Sequence, residues 1–292
     1  MQQPAEAVIN ALCRRKAVFL PRGELFIEKD FLDHFFPESD GEYVRQLETA
    51  AGRMGLSAMG VDLASEQVQP LLSSAQFAVL DRYFMMGYIN GPVSRLAHDH
   101  GFLKALLILR NEPRVFSGMA SGLLRQAKKR IEEALRNGFR AIVLADDIAS
   151  NQGLLFSATC FRDTVWPVYK EVAGMIKEKG LFAFFHSDGD TRKIIDLLIA
   201  AGYDCIHPVD AQAGLDLREL RKDIGARVAF MGHIDAMAWD EERIRTEIDF
   251  AENSFRDGGL ILGSSGGISM TTVNEGLSAL YPFLKARGGN CQ

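Results

Sequence analysis

Cysteine is scarce in this sequence, and the four residues that occur are far apart. They are Cys13, Cys160, Cys205 and Cys291, and no two of them form a Cys-x-x-Cys pair. Zinc knuckles use closely spaced cysteine pairs, and small secreted domains carry many more cysteines for their length. The sequence therefore disfavours a cysteine-rich zinc site and is typical of a protein from a reducing compartment.

Long apolar runs and blocks of basic residues are also absent. No apolar run approaches the length of a membrane span, and the first residues lack the pattern of a signal peptide. We therefore expect a cytoplasmic protein without a membrane partner. The formal net charge is −5, and lysine and arginine are not clustered, so we expect no nucleic-acid partner.

Several common catalytic motifs are missing as well. The sequence contains no Gly-x-Gly-x-x-Gly, which disfavours a dinucleotide site, and no Gly-x-Ser-x-Gly, which disfavours a serine hydrolase. No lysine follows the glycines of residues 264–267, so that stretch is not a phosphate-binding P-loop. The 292 residues contain no evident linker or low-complexity segment, and we predict one domain over residues 1–292.

Short apolar runs alternate with helix-like segments along the chain. We predict a short helix over residues 5–15 and then strands at 17–20, 57–61, 84–89, 141–145, 181–185, 204–207, 227–232 and 260–263. Helices are predicted at 31–36, 43–54, 77–82, 93–109, 116–137, 159–179, 192–201, 216–223, 240–256 and 271–286. Eight repeated strand–helix units predict an α/β fold, a (β/α)8 TIM barrel with a short N-terminal helical extension. An open doubly wound sheet is the alternative.

The predicted strand 181–185 runs directly into a polar cluster. His186 and Asp188 follow it at a spacing of two, so a continuing strand would present both on one face. The carboxyl ends of barrel strands carry the active site. A histidine beside a carboxylate can bind a divalent metal or act as an acid–base pair. The alternative is a buried hydrogen bond that holds the loop in place.

Two adjacent acids follow the predicted strand 141–145. The side chains of Asp146 and Asp147 would point in opposite directions from a strand, so one can face the barrel mouth while the other braces a loop. Neighbouring carboxylates raise the pKa of one member and favour a proton donor. We predict a catalytic role for the pair, and the pattern does not select between them.

Other polar residues also follow predicted strands and are candidates for substrate binding. A structural role as a cap, ion pair or buried donor is the alternative for each of them. Phe156 and Trp166 are apolar residues suited to holding an aromatic ring or to packing in the core. The polar candidates are Arg22, Glu24, Asp62, His207, Asp210, His233, Asp235, Ser264 and Ser265.

Six stretches of the chain together resemble the uroporphyrinogen decarboxylase superfamily. They are Tyr-Ile-Asn-Gly-Pro at 88–92, Ala-Asp-Asp-Ile-Ala-Ser at 145–150, His-Ser-Asp-Gly-Asp at 186–190, His-Pro-Val-Asp-Ala-Gln-Ala-Gly-Leu-Asp-Leu at 207–217, Gly-His-Ile-Asp at 232–235 and Gly-Gly-Leu-Ile-Leu-Gly at 258–263. The resemblance implies a (β/α)8 barrel. It also implies either a porphyrinogen decarboxylase or a methyltransferase of cobalamin-dependent methyl transfer.

The decarboxylase pattern of that superfamily is incomplete here. Its members carry an N-terminal segment with two arginines that grip substrate carboxylates, whereas this chain has Arg22 followed by Glu24. They also carry Gly-His-Gly in the last loop, where this chain has residues 264–267. A substrate with many carboxylates needs cations at the mouth, so the resemblance favours the methyltransferases.

The thiol-activating methyltransferases of the superfamily build a zinc site from His-x-Cys and a later cysteine. This chain resembles them at the histidine of that site. The matching positions here hold His186-Ser187-Asp188 and Ser264-Ser265, so the histidine remains and both sulfurs are replaced. An oxygen-rich site does not favour a soft thiol ligand. The resemblance then implies transfer of a methyl group from a methoxylated aromatic or methylated amine to the cobalamin of a separate corrinoid protein.

The leaving oxygen or nitrogen in such a reaction requires a proton or a Lewis acid. An acid among Asp146, Asp147 and Asp188 would supply the proton, or a metal such as zinc held by His186 and Asp188 would bind the leaving atom. Two alternatives remain: a cofactor-free decarboxylase that uses Arg22 on a smaller acid, and a non-catalytic ligand-binding barrel. A homodimer is a possible assembly.

Overall fold

Eight parallel strands form a closed barrel in this computed structural model, which describes residues 2–39 and 42–286. Each strand pairs in parallel with the next one along the chain, and a parallel bridge between Arg22 and Leu262 joins the first strand to the last. The predicted (β/α)8 TIM barrel is therefore confirmed, and the open doubly wound alternative is wrong. Cys291 lies outside the described residues. The strands are β1 Gly23–Glu24, β2 Ala58–Asp62, β3 Phe84–Asn90, β4 Ala141–Ala145, β5 Phe182–His186, β6 Cys205–His207, β7 Ala229–Ile234 and β8 Leu260–Ser264.

The predicted strand at residues 17–20 is wrong. This segment is irregular, and its apolar side chains lie largely on the surface, with Val18 83% and Phe19 42% exposed. The chain joins the barrel only at Pro21, whose carbonyl accepts a hydrogen bond from the Leu262 amide at 2.9 Å. The short β1 follows directly after Arg22 and includes Glu24. The first strand therefore begins later in the chain than the apolar run predicts.

Helices follow the strands around the outside of the barrel, close to most of the predicted positions. The predicted helix at 93–109 is divided in two at Gly101, and the predicted helix at 159–179 begins with a short helical turn and a π-helical segment at Phe161–Val165. The helices are Pro4–Leu12, Lys29–Phe35, Tyr43–Met54, Val68–Ser73, Pro92–His100, Phe102–Asn111, Pro113–Arg136, Ala158–Cys160, Trp166–Glu178, Ile195–Ala201, Leu217–Ile224, Glu241–Ser254, Glu275–Leu280 and Phe283–Ala286. Within the described ranges, none of them combines the length and the apolar character that crossing a membrane requires.

The N-terminal helix closes the amino end of the barrel. Its buried face, which includes Val8 and Leu12, packs into the same apolar cluster as the side chains of the barrel lumen. The Ala5 amide donates to the Arg82 carbonyl just before β3, and the Gly259 amide just before β8 donates to the Ala11 carbonyl. The helical extension therefore serves as the floor of the barrel.

The lumen is filled by one face of each strand, as the alternation of strand side chains requires. On β5, for example, Phe182 and Phe184 contribute to the lumen cluster, and Phe185 packs outward against the helices. The next inward position on this strand is His186. The strand register sets Ala145 of β4 and His207 of β6 level with it, so these three residues form the top layer of the lumen.

Candidate functional site

Two histidines lie side by side in the top layer of the barrel. The Nδ1 atoms of His186 and His207 are 2.8 Å apart, and both rings are buried. Burial lowers the pKa of His186 to about 4 and holds the pKa of His207 well below its ordinary value, because a charged imidazole loses its hydration there. Both rings are therefore neutral at physiological pH, and one Nδ1 donates to the other.

The tautomers of the two rings follow from the second contact of His207. A hydrogen bond to the backbone of Ser264 raises the pKa of this imidazole against the effect of burial, as a carbonyl acceptor does. Since Nδ1 of His207 faces His186, its Nε2 carries the hydrogen for that carbonyl and its Nδ1 is an acceptor. His186 then donates from Nδ1 and keeps a lone pair on Nε2.

Asp147 faces that lone pair. Its Oδ1 lies 3.7 Å from Nε2 of His186 and also accepts a hydrogen bond from the amide of Asp188 at 3.1 Å. The carboxylate remains 60% exposed at the barrel mouth. Of the two adjacent acids that follow β4, Asp147 is thus the one placed for chemistry.

Asp146 points outward and caps a helix. Its buried carboxylate accepts from the amides of Val93 at 3.1 Å and Ser94 at 2.5 Å, and from the hydroxyl of Tyr169 at 2.7 Å. A Cβ at Gly91 would lie 2.3 Å from this carboxyl group, so only glycine fits beside it. Burial raises the pKa of Asp146 to about 6. The predicted divergence of the pair is confirmed, but Asp146 does not reach the mouth.

Asp188 completes a cluster of three potential metal ligands. One ligand atom from each of Asp147, His186 and Asp188 lies within 4.8 Å of the others. Partial burial, followed by the negative charges of Asp147 and Asp210, raises the pKa of Asp188 to about 6. Two carboxylates and a neutral imidazole nitrogen are a donor set that divalent metals accept. The residues therefore fit a metal, and Asp147 adds a third ligand to the predicted pair.

A polar chamber of about 260 Å³ opens beside this cluster. Its walls include Asp188, Asp210, Asp235 and the serines and glycines of residues 264–267. Asp210 accepts from the Gly189 amide at 3.1 Å, and Asp235 accepts from the side-chain amide of Gln212 at 2.9 Å. Sequence reasoning missed Gln212, because an amide in a loop carries no motif of its own.

The serines of the last loop divide between two environments. The backbone of Ser264 contacts His207, while its amide and hydroxyl donate to Glu24 on the outside of the barrel. The hydroxyl of Ser265 is buried at the chamber and has no hydrogen-bond partner within residues 2–39 and 42–286. Ser265 therefore provides an unpaired hydroxyl at the mouth.

An aromatic wall covers the two histidines. The ring of Phe26 lies 4.9 Å from that of His186, 6.2 Å from that of His207 and 5.1 Å from that of Tyr88. Asp62, another predicted site residue, lies beside Tyr88 on the neighbouring strand, and its carboxylate accepts a hydrogen bond from the Ala64 amide at 2.8 Å. Phe26 and Tyr88 were missed because apolar residues at a strand end look like ordinary core positions.

Glu24 and Arg22 lie away from the mouth. The buried carboxyl of Glu24 accepts from the Ser264 amide at 2.8 Å, the Ser264 hydroxyl at 2.6 Å and the hydroxyl of Tyr281. Burial raises its pKa to about 7, against the effect of these hydrogen bonds. Arg22 donates to the Leu280 carbonyl at 2.7 Å and approaches Glu252. The expectation that these two side chains face a substrate is therefore wrong, because both contact residues of the C-terminal part of the chain instead.

His233 also turns away from the mouth. Strand alternation predicts an inward side chain, because Met231 lies in the lumen. His233 instead has a φ of +95° directly after Gly232 at +92°, and its Nε2 lies 3.0 Å from Glu247 on an outer helix. This rare backbone conformation reverses the direction of the side chain. The placement expected for His233 is wrong for that reason.

Comparisons with known proteins agree with this architecture. A family model for uroporphyrinogen decarboxylase (URO-D) matches residues 57–286. A methyltransferase from Methanosarcina mazei has a similar structure, with a TM-score of 0.75 and 14% identity over 98% of this chain and 99% of that one. No curated protein sequence matches the chain.

More distant barrels are similar as well. A probable 3-DHS dehydratase from Bacillus anthracis gives a TM-score of 0.54 at 8% identity over 93% of this chain and 100% of that one. A sugar phosphate isomerase/epimerase from Parabacteroides distasonis gives 0.53 at 8% identity over 92% and 96%. These likenesses show the fold alone. The family model, in contrast, spans most of the sequence, and the chain belongs to the uroporphyrinogen decarboxylase family.

Proposed function

We propose that this protein is a corrinoid-dependent methyltransferase of its family. It takes a methyl group from a methoxylated aromatic or a methylated amine and passes it to the cobalt of a partner corrinoid protein. The observation that carries the proposal is the cluster of Asp147, His186 and Asp188 at the barrel mouth. Its potential ligand atoms are oxygen and nitrogen, and none is a cysteine sulfur. An oxygen-rich site suits an oxygen or nitrogen leaving group better than a thiol.

The chemical requirement is relief of charge on the leaving atom. When the methyl carbon is attacked in line, its bond to oxygen or nitrogen breaks and the electron pair stays on that atom. A divalent metal, when bound, supplies a Lewis acid for this atom. The neutral Nε2 of His186 and the carboxylates of Asp147 and Asp188 would hold it.

Other groups of the chain orient the reactants and control protons. When no metal is bound, the Asp188 carboxyl, whose pKa is raised to about 6, can hold or release a proton near neutral pH. Phe26 packs its ring against His186 and Tyr88 and keeps water from that side of the imidazole. Asp210 and Asp235 line the polar chamber and are fixed by backbone amide donors, so the chamber keeps its shape.

The decarboxylase alternative loses its main support. It depends on Arg22 as the cation that binds a substrate carboxylate, and this guanidinium instead donates to the Leu280 carbonyl. The rim of the polar chamber carries Asp188, Asp210 and Asp235, which would repel a carboxylate. Carbon dioxide release from a carboxylated substrate would revive this alternative.

The proposal is tested by incubating the purified protein with reduced cobalamin and a panel of methoxyarenes and methylamines. We expect methylcobalamin, followed by its absorption spectrum, and a rate lowered roughly 100-fold or more in His186→Ala and Asp188→Asn. His100→Ala is the matched control, because His100 is exposed on a helix outside the cluster. Absence of methylcobalamin with every donor would contradict the proposal. Tight binding of a donor without turnover would favour a non-catalytic barrel.

A further inference from the structure

An apolar cleft adjoins the metal-ligand cluster and shares no lining residue with the polar chamber. It has a volume of about 510 Å³ and lies between two surface helices, Pro92–His100 and Phe102–Asn111, and the loop that follows β4. Val93, Ala97, Leu106 and Leu155 contribute to its walls, and Asp147 also lines it. The exposed acid of the cluster is therefore part of an otherwise mainly apolar wall.

A second apolar space of about 680 Å³, the outer space, adjoins the cleft. Leu106 and Leu155 line both spaces, so the two are neighbours. The outer space is bounded by Leu103, Leu107 and Phe156, and Arg110 also lines it. Leu103 is 76% and Leu107 56% exposed, so the helix Phe102–Asn111 presents large apolar side chains to solvent at the outer space. Contiguous exposed apolar surface of this kind marks a binding site.

The two carboxylates of the cluster thus belong to different spaces. Asp188 lines the polar chamber and Asp147 lines the apolar cleft. A small methylated ammonium ion has no apolar body that would fill 510 Å³, and its charge matches the acidic chamber. A methyl ether with a large hydrocarbon body matches the cleft, because its oxygen can lie at Asp147 while the body covers Leu106 and Leu155.

We propose that this cleft binds the apolar body of the methyl donor, and that the donor is an ether with a hydrocarbon body. This inference rests on the proposed function for the identity of the ligand as a methyl donor. Leu106 and Leu155 are then specificity residues, since they line both the cleft and the outer space. Phe156, which lines only the outer space, contacts the bodies that are long enough to reach it.

A homologous series of 1-methoxyalkanes, from methoxypropane to methoxyhexane, tests the cleft by calorimetric titration without any corrinoid. Each methylene buried in an apolar site raises affinity roughly fourfold, so we expect an increase of roughly 60-fold across the series. Leu106→Gln and Leu155→Gln should reduce this dependence on chain length. Val79→Gln is the matched control, because Val79 is 60% exposed and lies outside the cleft.

The outcomes separate this inference from the proposed function. An affinity that does not change with chain length, or a dependence that both leucine variants retain, would overturn the cleft as the binding site. Length-dependent binding without methylcobalamin formation would leave the cleft in place and contradict the methyltransferase. Methylcobalamin formation from methylamines, together with an ether affinity that does not change with chain length, would support the methyltransferase and contradict the cleft as the binding site.

Discussion

The 2.8 Å contact between the Nδ1 atoms of His186 and His207 sets which nitrogen of His186 faces the carboxylates. His207 acts as a positioning residue, because it reaches the metal-ligand cluster only through this neighbouring ring. Ligating histidines are commonly fixed by a partner on their other nitrogen, and loss of that partner lowers metal affinity about 10–100-fold.

We therefore expect His207→Ala to weaken zinc binding by about 10–100-fold, as measured by competition with a chromophoric chelator. His207→Asn should restore much of the affinity, since its amide oxygen can accept the Nδ1 hydrogen of His186. Folding of both variants is checked by urea unfolding. Wild-type zinc affinity in a folded His207→Ala protein would contradict the positioning role.

The cluster itself predicts the metal content of the protein. We expect elemental analysis of the protein, purified with zinc present, to find about one equivalent of divalent metal. His186→Ala and Asp188→Asn should lose it, because each removes one of three ligand groups that lie within 4.8 Å of one another. His100→Ala should retain the metal. Equal metal in all four proteins would place the ion elsewhere.

Adjacent residues Asp146 and Asp147 should give opposite phenotypes. Asp146→Ala leaves the amides of Val93 and Ser94 and the hydroxyl of Tyr169 without their acceptor in a buried place, and we expect a loss of about 3 kcal/mol in the free energy of unfolding. Asp147→Ala removes an exposed side chain, and the change should stay within about 0.5 kcal/mol.

Urea titrations measure both variants, and methyl transfer should fall in Asp147→Ala although its stability is unchanged. Asp146→Ala and Asp147→Ala serve as controls for each other, because the same substitution is made at adjacent positions. A stable Asp146→Ala protein would show that the helix cap contributes little.

Glu24 should make stability depend on pH. Its pKa is about 7 in the folded protein and 4.5 as the ordinary value, so the folded state keeps a proton that the unfolded state has lost. This contribution is full below about pH 4.5 and is lost as the pH rises through about 7. The difference amounts to about 3 kcal/mol.

Glu24→Gln should flatten this dependence, because the amide stays neutral and can still contact Ser264 and Tyr281. The measurement is the free energy of unfolding of both proteins between pH 4.5 and pH 8. Parallel curves for the two proteins would show that Glu24 titrates normally.

Local sequence patterns predicted most of the barrel. The strand at residues 141–145 and the helix at 43–54 have the bounds that the structure shows, because apolar runs and helical periodicity are local properties. The segment at 17–20 has the same apolar character but does not join the sheet. Strand pairing depends on distant partners such as Leu262, which no local pattern specifies.

The site was predictable only in part, for a related reason. The spacing of His186 and Asp188 places both on one strand face, and they lie together in the cluster. Which of Asp146 and Asp147 faces inward depends on the register around the closed barrel, which the sequence does not state. The outward turn of His233 depends on two consecutive positive φ angles, and its residue type gives no sign of them.

The N-terminal helix limits the direction from which reactants can approach the site. With Val8 and Leu12 packed under the lumen, nothing can pass through the barrel from beneath. In the proposed reaction the methyl donor and the corrinoid acceptor would both have to approach from the upper end of the barrel, where the polar chamber and the apolar cleft adjoin the metal-ligand cluster. A corrinoid protein docked over that end would shield the cluster from solvent during the transfer.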